Sequence, residues 1–231
     1  MTRLYRLDTS ADQVAHWAGA QVGRDPWVRG YVAPEKFAPV ITAGRDFIAG
    51  PRPAQYSGRA LRPRIVPRLW GVLPPPTADD PTRRIHCVRN HESPFWIGNL
   101  RNSEFRCIVP ATAFMLWGEG TDYEGRRLKH WFAPPRLSPE APPALMALAA
   151  VWKDEEIPAF AVLSRAASGA AKSVGAPAMP VVLPDTPEAR AVWLHGSWDR
   201  ARALIDAPSD DAAAGAAQEA PAPLPEPPKF A

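Results

Sequence analysis

The sequence predicts one α+β domain: a curved or barrel-like, mainly antiparallel sheet with short flanking helices. Three observations carry that prediction. Apolar runs of strand length, rich in β-branched and aromatic residues, recur along the chain between proline and glycine breaks. Segments with helical spacing are short and dispersed among those runs. No internal repeat and no linker divides residues 1–206, a length that a single sizeable core can fill.

Taken in order, Leu4, Tyr5 and Leu7 lie among arginines and read as a short first strand. Asp8-Thr9-Ser10 offers a helix N-cap, Val14, Trp17 and Ala18 follow at helical spacing, and Gly23 to Pro26 stops the helix. Tyr31 to Ile41 is extended with proline turns, ending in the strand-like Val40-Ile41-Thr42, and Phe47 to Arg62 is loop-like. Pro67 to Pro74 follows as a further apolar segment around Leu69-Trp70-Gly71-Val72.

The stretch from His86 to Trp117 opens on a polar turn and carries the aromatic pair Phe95 and Trp96. It enters a buried strand at Cys107-Ile108-Val109, which Pro110 is expected to end, and resumes an apolar segment from Phe114 to Trp117. Gly118 to Arg127 reads as a polar turn, Lys129 to Ala133 as a strand and Pro134 to Pro143 as a proline-rich loop. Leu145 to Trp152 and Ala159 to Leu163 read as two more strands, although their alanine content also allows helix; Ser164 to Ala171 is helix-compatible. Ala178 to Pro184 is a strand, and Pro187 to Leu194 and Trp198 to Ile205 are amphipathic helices. Residues 207–231 are mostly Ala, Pro, Asp and Glu, with too little apolar surface to offset ordering entropy, so a disordered tail is expected there.

Composition narrows the class. Hydrophobic residues at 46% and charged residues at 22% are ordinary for a globular domain. No apolar run approaches the roughly 20 residues that span a bilayer, and MTRLYRLDTSADQ holds no apolar signal region, so a cytoplasmic protein is expected. Two cysteines, Cys87 and Cys107, make no disulfide framework. From Pro208 onward four acids face one lysine, so the tail carries about −3 and the body about +6 of the net +3. Much of that excess is arginine, whose planar fork suits phosphate, although a GC-rich coding bias gives the same composition. There is no glycine-rich phosphate loop, no Cys-x-x-Cys and no His-Glu-x-x-His, so neither a cofactor nor a metal is expected.

Val88-Arg89-Asn90, Ser93-Pro94-Phe95-Trp96, Arg106-Cys107-Ile108-Val109-Pro110-Ala111 and Ala178-Met179-Pro180-Val181-Val182-Leu183 together resemble the SRAP family. Those are SOS-response-associated proteins that recognise abasic sites in single-stranded DNA. The resemblance covers about residues 1–205 and implies that family's fold. It also implies a chemistry in which an N-terminal cysteine, exposed by loss of the initiator methionine, attacks the ring-opened aldehyde of an abasic sugar. In the family an asparagine, an arginine, a glutamate and a histidine orient the sugar and move protons.

Carried over by position, most of those groups change. Thr2 stands in place of the cysteine: processing of Met-Thr leaves a free α-amine, whose pKa near about 7.7–8.0 keeps a useful share unprotonated, but no thiol. The family's Asn-x-Arg becomes Cys87-Val88-Arg89, keeping the arginine as a phosphate or sugar ligand or, alternatively, a surface ion pair. Period-2 alternation sets His86 on the face opposite Cys87, so adjacency makes no dyad, and Cys87 reads as a buried inert thiol. The glutamate aligns with Leu116, and Glu119 replaces it only if the following turn folds back. The histidine falls at Gly175, or at Ala176 after a one-residue shift, and none of the five histidines lies nearby in sequence. Trp70-Gly71 resembles the family's Trp-Gly-Leu segment, which implies an indole against the DNA with Arg68 and Arg3 beside it.

Three readings follow. The first is a catalytically degenerate SRAP-like monomer that binds single-stranded or abasic-site-containing DNA through Arg89, Trp70, Arg3 and Arg68, on the nucleoid. The second is an enzyme whose Thr2 amine forms a Schiff base with abasic DNA, as crosslinker or lyase; peptidase activity lacks a nucleophile and base. The third is a scaffold that binds a protein partner.

Overall fold

A computed structural model describes residues 4–21, 29–44, 62–135, 138 and 140–207. The helix stop at Gly23 to Pro26, most of the loop over Phe47 to Arg62 and the tail beyond Ala207 lie outside the described residues.

Five strands close into a ring. β3 (Phe37–Thr42) and β4 (Arg64–Trp70) pair antiparallel over their length, with Val40 opposite Val66 and Ile41 opposite Ile65. β3 also pairs with β6 (Arg106–Ala111), β6 with β9 (Met146–Lys153), and β9 with β10 (Ala159–Ala166), all antiparallel. The ring closes through a short parallel contact, Ala159 opposite Leu69 and Phe160 opposite Trp70. β5 (Cys87–Val88) extends that parallel edge along β10, while β11 (Ala178–Pro180) and β12 (Val182–Leu183) add to β10 and β9. A second antiparallel sheet has the order β2-β1-β7-β8, from β1 (Tyr5–Leu7), β2 (Gly30–Val32), β7 (Ala113–Thr121) and β8 (Arg127–Phe132). The expected α+β class with a barrel-like, mainly antiparallel sheet is what forms.

The helices start where their caps allow. α1 (Ala11–Ala18) opens on a capping box: Ser10 Oγ accepts from the Gln13 amide at 3.2 Å, and Gln13 Oε1 accepts from the Ser10 amide at 3.0 Å. Gly19, at φ 60°, ends it earlier than the glycine and proline further on. Thr186 caps α4 (Pro187–His195) by accepting from the Ala189 amide at 3.1 Å, and Pro187 sits in the first turn, where its missing N–H leaves nothing unpaired. α5 (Trp198–Asp206) follows, and a short α3 (Gly169–Ser173) precedes β11.

Four expectations change. β6 runs through Pro110 to Ala111: beyond Ile108 it is paired by β9 alone, and a free edge tolerates a residue with no N–H. Pro39, which would face Pro110 if the β3–β6 ladder continued, lacks the donor as well. The polar turn is shorter than Gly118 to Arg127, because cross-strand pairing carries β7 to Thr121 and restarts at Arg127; Asp122 holds the remainder by accepting from the Glu124 and Arg126 amides. Ser164 to Ala166 is strand, since β11 pairs there and offers the backbone a ladder that propensity alone does not show. Finally, Ser93 caps a helix over the aromatic pair, α2 (Pro94–Arg101), followed by a 3-10 turn at Ser103–Phe105.

Candidate functional site

The β7–β8 hairpin brings together residues that are far apart in sequence. Phe114 faces Phe132, Leu116 faces His130 and Trp117 faces Lys129, before the register shifts ahead of Thr121 and Arg127. Alternation sends Phe114 and Leu116 into the main core, while Ala113, Met115 and Trp131 form a small cluster on the other face with Leu4 and Trp117. His130 therefore projects from the same face as Leu116, half-buried at the end of the core.

Gly118 comes next, and its lack of a side chain is required. A Cβ there would lie 2.5 Å from His130 Nε2 and 2.7 Å from the carbonyl oxygen of Val174. The chain then folds back, with the Glu119 amide donating to Val174 O at 2.9 Å. Gly175, at φ +76°, receives the Glu119 side chain: a Cβ on Gly175 would sit 2.6 Å from Glu119 Cδ and 2.8 Å from Glu119 Cβ. Leu116 and Gly175, the positions where the resemblance implies a glutamate and a histidine, thus flank one notch whose titratable groups are Glu119 and His130.

The opposite face of the hairpin is basic and aromatic. Arg127 donates to Gly118 O at 3.4 Å, and its guanidinium lies 6.0 Å from the Trp117 ring centroid, with Lys129 Nζ at 5.5 Å. Trp117 is half-buried, and both cations are exposed. The Met115 amide donates to Leu4 O at 3.0 Å, so the first described residue runs alongside β7, next to Leu116. Thr2 and Arg3 lie outside the described residues.

The other expected residues are separated. Trp70 is a correction: it is fully buried, stacked on Phe160 with centroids 6.2 Å apart and tilted against Tyr5, and its indole N–H donates to His86 O at 2.9 Å. No ring face remains for a base. The reason is the barrel closure itself, since Trp70 stands opposite Phe160 in the parallel contact. Arg68 is half-buried, its guanidinium over Trp152 at 4.7 Å, so its planar face is already covered. Arg89 is exposed just past β5. Cys87 is half-buried rather than buried, because β5 has only two residues and a single partner strand at this point. Cys107 is buried, which pushes its thiol well above the ordinary range and leaves it inert. His86 lies across from Trp70, its Nε2 3.9 Å from Glu35 Oε1. Among the described residues no group of three His, Cys, Asp or Glu side chains could hold a metal ion, and no helix is long and apolar enough to cross a membrane.

Sequence reasoning missed His130 and Trp117. The signal that finds His130 is hairpin register: once Phe114 faces Phe132, Leu116 must face His130. That register depends on how far β7 and β8 extend into the polar stretch between them.

A closed mixed barrel with a second antiparallel sheet against it, and a notch where β7 meets the loop before β11, define a recognisable class of protein. The family model described as SOS response associated peptidase (SRAP) matches residues 2–217, and the chain belongs to that family. A search among curated proteins found no match. Three solved structures share the fold. A Bordetella bronchiseptica protein is 19% identical with a TM-score of 0.61, covering 90% of this chain and 96% of its own. A phage-related protein from the same organism is 14% identical with a TM-score of 0.62, covering 91% of each chain. A Bacteroides thetaiotaomicron protein is 16% identical with a TM-score of 0.60, covering 87% of this chain and 85% of its own.

Proposed function

We propose that this SRAP protein binds single-stranded DNA, including DNA with abasic sites, in the response to DNA damage, and that it does not make the family's cysteine-based crosslink. The observation that carries the reading is the patch of Trp117, Arg127 and Lys129 on the face of the β7–β8 hairpin turned away from Leu116 and His130. A half-buried indole with flanking cations supplies what single strands require, a stacking surface and phosphate neutralisation. Trp117 takes the role expected of Trp70, and exposed Arg89 remains a phosphate contact. The loss of the thiol at Thr2 and of the amide at Cys87 supports degeneracy for the cysteine chemistry. On this reading the protein works in the cytoplasm, on nucleoid DNA.

Fluorescence anisotropy with a labelled single-stranded oligonucleotide, intact or with one abasic site, tests it over a salt series. Affinity should fall steeply with salt, with a log–log slope of about −0.7 per phosphate contacted. Arg127→Ala and Arg89→Ala should each weaken binding and flatten the slope by roughly one contact. Salt-independent binding, or none at low salt, would move the protein to the partner-scaffold reading.

A second reading, imine formation by the Thr2 amine, is favoured by Leu4 lying along β7 next to Leu116. Borohydride should then trap a covalent adduct on abasic DNA, and acetylating the N-terminus should abolish it.

A further inference from the structure

Six large apolar side chains are exposed among the described residues, and three of them, Phe37, Leu73 and Ile157, belong to one end of the barrel. Backbone contacts gather them there. Phe37 opens β3 opposite Leu69 of β4, and the Leu69 amide donates to Pro158 O at 3.1 Å. β3, β4 and the turn between β9 and β10 therefore run side by side. The Leu73 amide is held to the same turn, donating to the Glu155 carboxylate at 3.1 and 3.3 Å. Phe37 is 62% exposed, Ile157 44% and Leu73 42%, so the three form a patch rather than scattered surface residues. The same end carries three exposed carboxylates, Glu35, Asp154 and Glu156, with Lys36 as the exposed cation among them. In a body of net charge about +6, this is a surface that turns phosphate away, and it stands apart from the DNA reading. It suits a segment that is apolar and carries a positive charge.

Such a segment lies in the same chain. Residues 221–231 carry the large apolar side chains Leu224 and Phe230, with Lys229 beside the latter. Five of these eleven residues are proline, whose fixed φ lowers the entropy lost on docking. The reach also matches. The chain leaves α5 beside β10, where Arg165 donates to Ala207 O at 2.6 Å. Pro158 lies seven residues before Arg165 along the same strand direction, which is roughly 23 Å at strand spacing. Thirteen residues, 208–220, join Ala207 to the proline-rich segment. A linker of that length and Ala/Gly-rich composition spans about 20 Å root-mean-square. We propose that residues 221–231 dock on the barrel end of their own chain, with Leu224 and Phe230 on the patch of Phe37, Leu73 and Ile157 and Lys229 against the carboxylates. The tether holds the segment at an effective concentration on the order of 1 mM, so an affinity of about 0.1 mM already keeps the patch filled about nine-tenths of the time.

Hydrogen exchange of the full chain tests this, comparing the parent with the double variant Leu224→Asp/Phe230→Asp. The variant should exchange the turn amides of residues 154–157 faster by roughly tenfold, the protection that nine-tenths occupancy confers. Adding a synthetic peptide of residues 221–231 to the variant should restore that protection. The substitutions lie outside the barrel, so thermal melts should match the parent. In the parent, a zero-length carbodiimide should join Lys229 to Glu35, Asp154 or Glu156, and Phe37→Ser and Ile157→Ser should each lower the yield severalfold. Equal exchange in the parent and the double variant overturns the proposal. Crosslinks that join isotope-labelled to unlabelled chains, with protection that fades on dilution, give the patch to a second copy and overturn it as well.

Discussion

Arg106 and Trp193 lock β6 to α4 in both directions. The buried Arg106 guanidinium donates through Nε to Trp193 O at 2.6 Å, and the Trp193 indole donates to Cys107 O at 2.8 Å. The same guanidinium donates to Leu100 O at 2.9 Å and to Gly196 O. One cation thus satisfies backbone carbonyls from the ends of α2 and α4, groups that have no partner inside a helix. Burial pushes its pKa down to about 10, still far above neutrality, so the charge stays. Arg106→Ala should cost about 3–5 kcal/mol, because it strands several buried acceptors, and Trp193→Phe about 1–2 kcal/mol. Urea unfolding checks both, as a lower midpoint at unchanged slope.

The barrel was legible in the sequence because its strands are short apolar runs between proline and glycine breaks, although the alanine-rich runs of β9 and β10 also allowed helix. What was not legible came from pairing at a distance. Ser164 to Ala166 reads as helix-compatible until β11 is known to lie beside it, and Trp70, which the resemblance sets against DNA, is covered by Phe160 across the barrel closure. The departures at Thr2, Cys87, Leu116 and Gly175 follow from sequence position alone. The arrival of Glu119 and His130 at the same place needs a turn length and a glycine contact, neither of which composition encodes.

Gly175→Ala tests the packing of the notch. The new Cβ meets Glu119 at its own Cβ as well as at its carboxyl carbon, so rotating the end of the side chain does not relieve the contact. A φ of +76° adds backbone strain that any L side chain feels. The substitution should destabilise by about 1–3 kcal/mol. Glu119→Ala on its own should be nearly neutral, since the side chain is exposed, and in the double variant it should recover only part of the loss. A double-mutant cycle by urea unfolding measures the difference, and full additivity would show that the two side chains do not meet.

His91 gives the fold a pH dependence. Desolvation lowers its pKa first, with a backbone hydrogen bond to Ser164 and the charges of Asp206 and Glu92 opposing, and Arg202 assisting. The folded protein therefore holds His91 neutral at pH values where the unfolded chain protonates it. In that window, from about 6.5 downward, the unfolded state binds more protons and stability falls with acidification. Stability should be level above pH 7 and decline toward pH 5.5, and His91→Gln should flatten part of that decline. Thermal midpoints of the two proteins across the range give the comparison; parallel curves would mean that other groups set the slope.

Besides the N-terminus, Lys153 is a candidate for the amine that forms an imine. Lys153 ends β9 with its Nζ 3.6 Å from the Phe95 ring centroid and 5.4 Å from that of Trp96. Desolvation there lowers its pKa, with Glu155 opposing, so more of it is free amine than of an ordinary lysine. Its packing on α2, however, sets it on aromatic faces rather than at the β7–β8 notch. Lys153→Arg keeps a cation over the rings and removes the nucleophile. Borohydride trapping on abasic DNA should be unchanged in that variant, and peptide mass mapping should place the adduct on the N-terminal peptide. Loss of the covalent band in Lys153→Arg would instead assign the chemistry to α2 and β9, with Phe95 and Trp96 as the walls of the site.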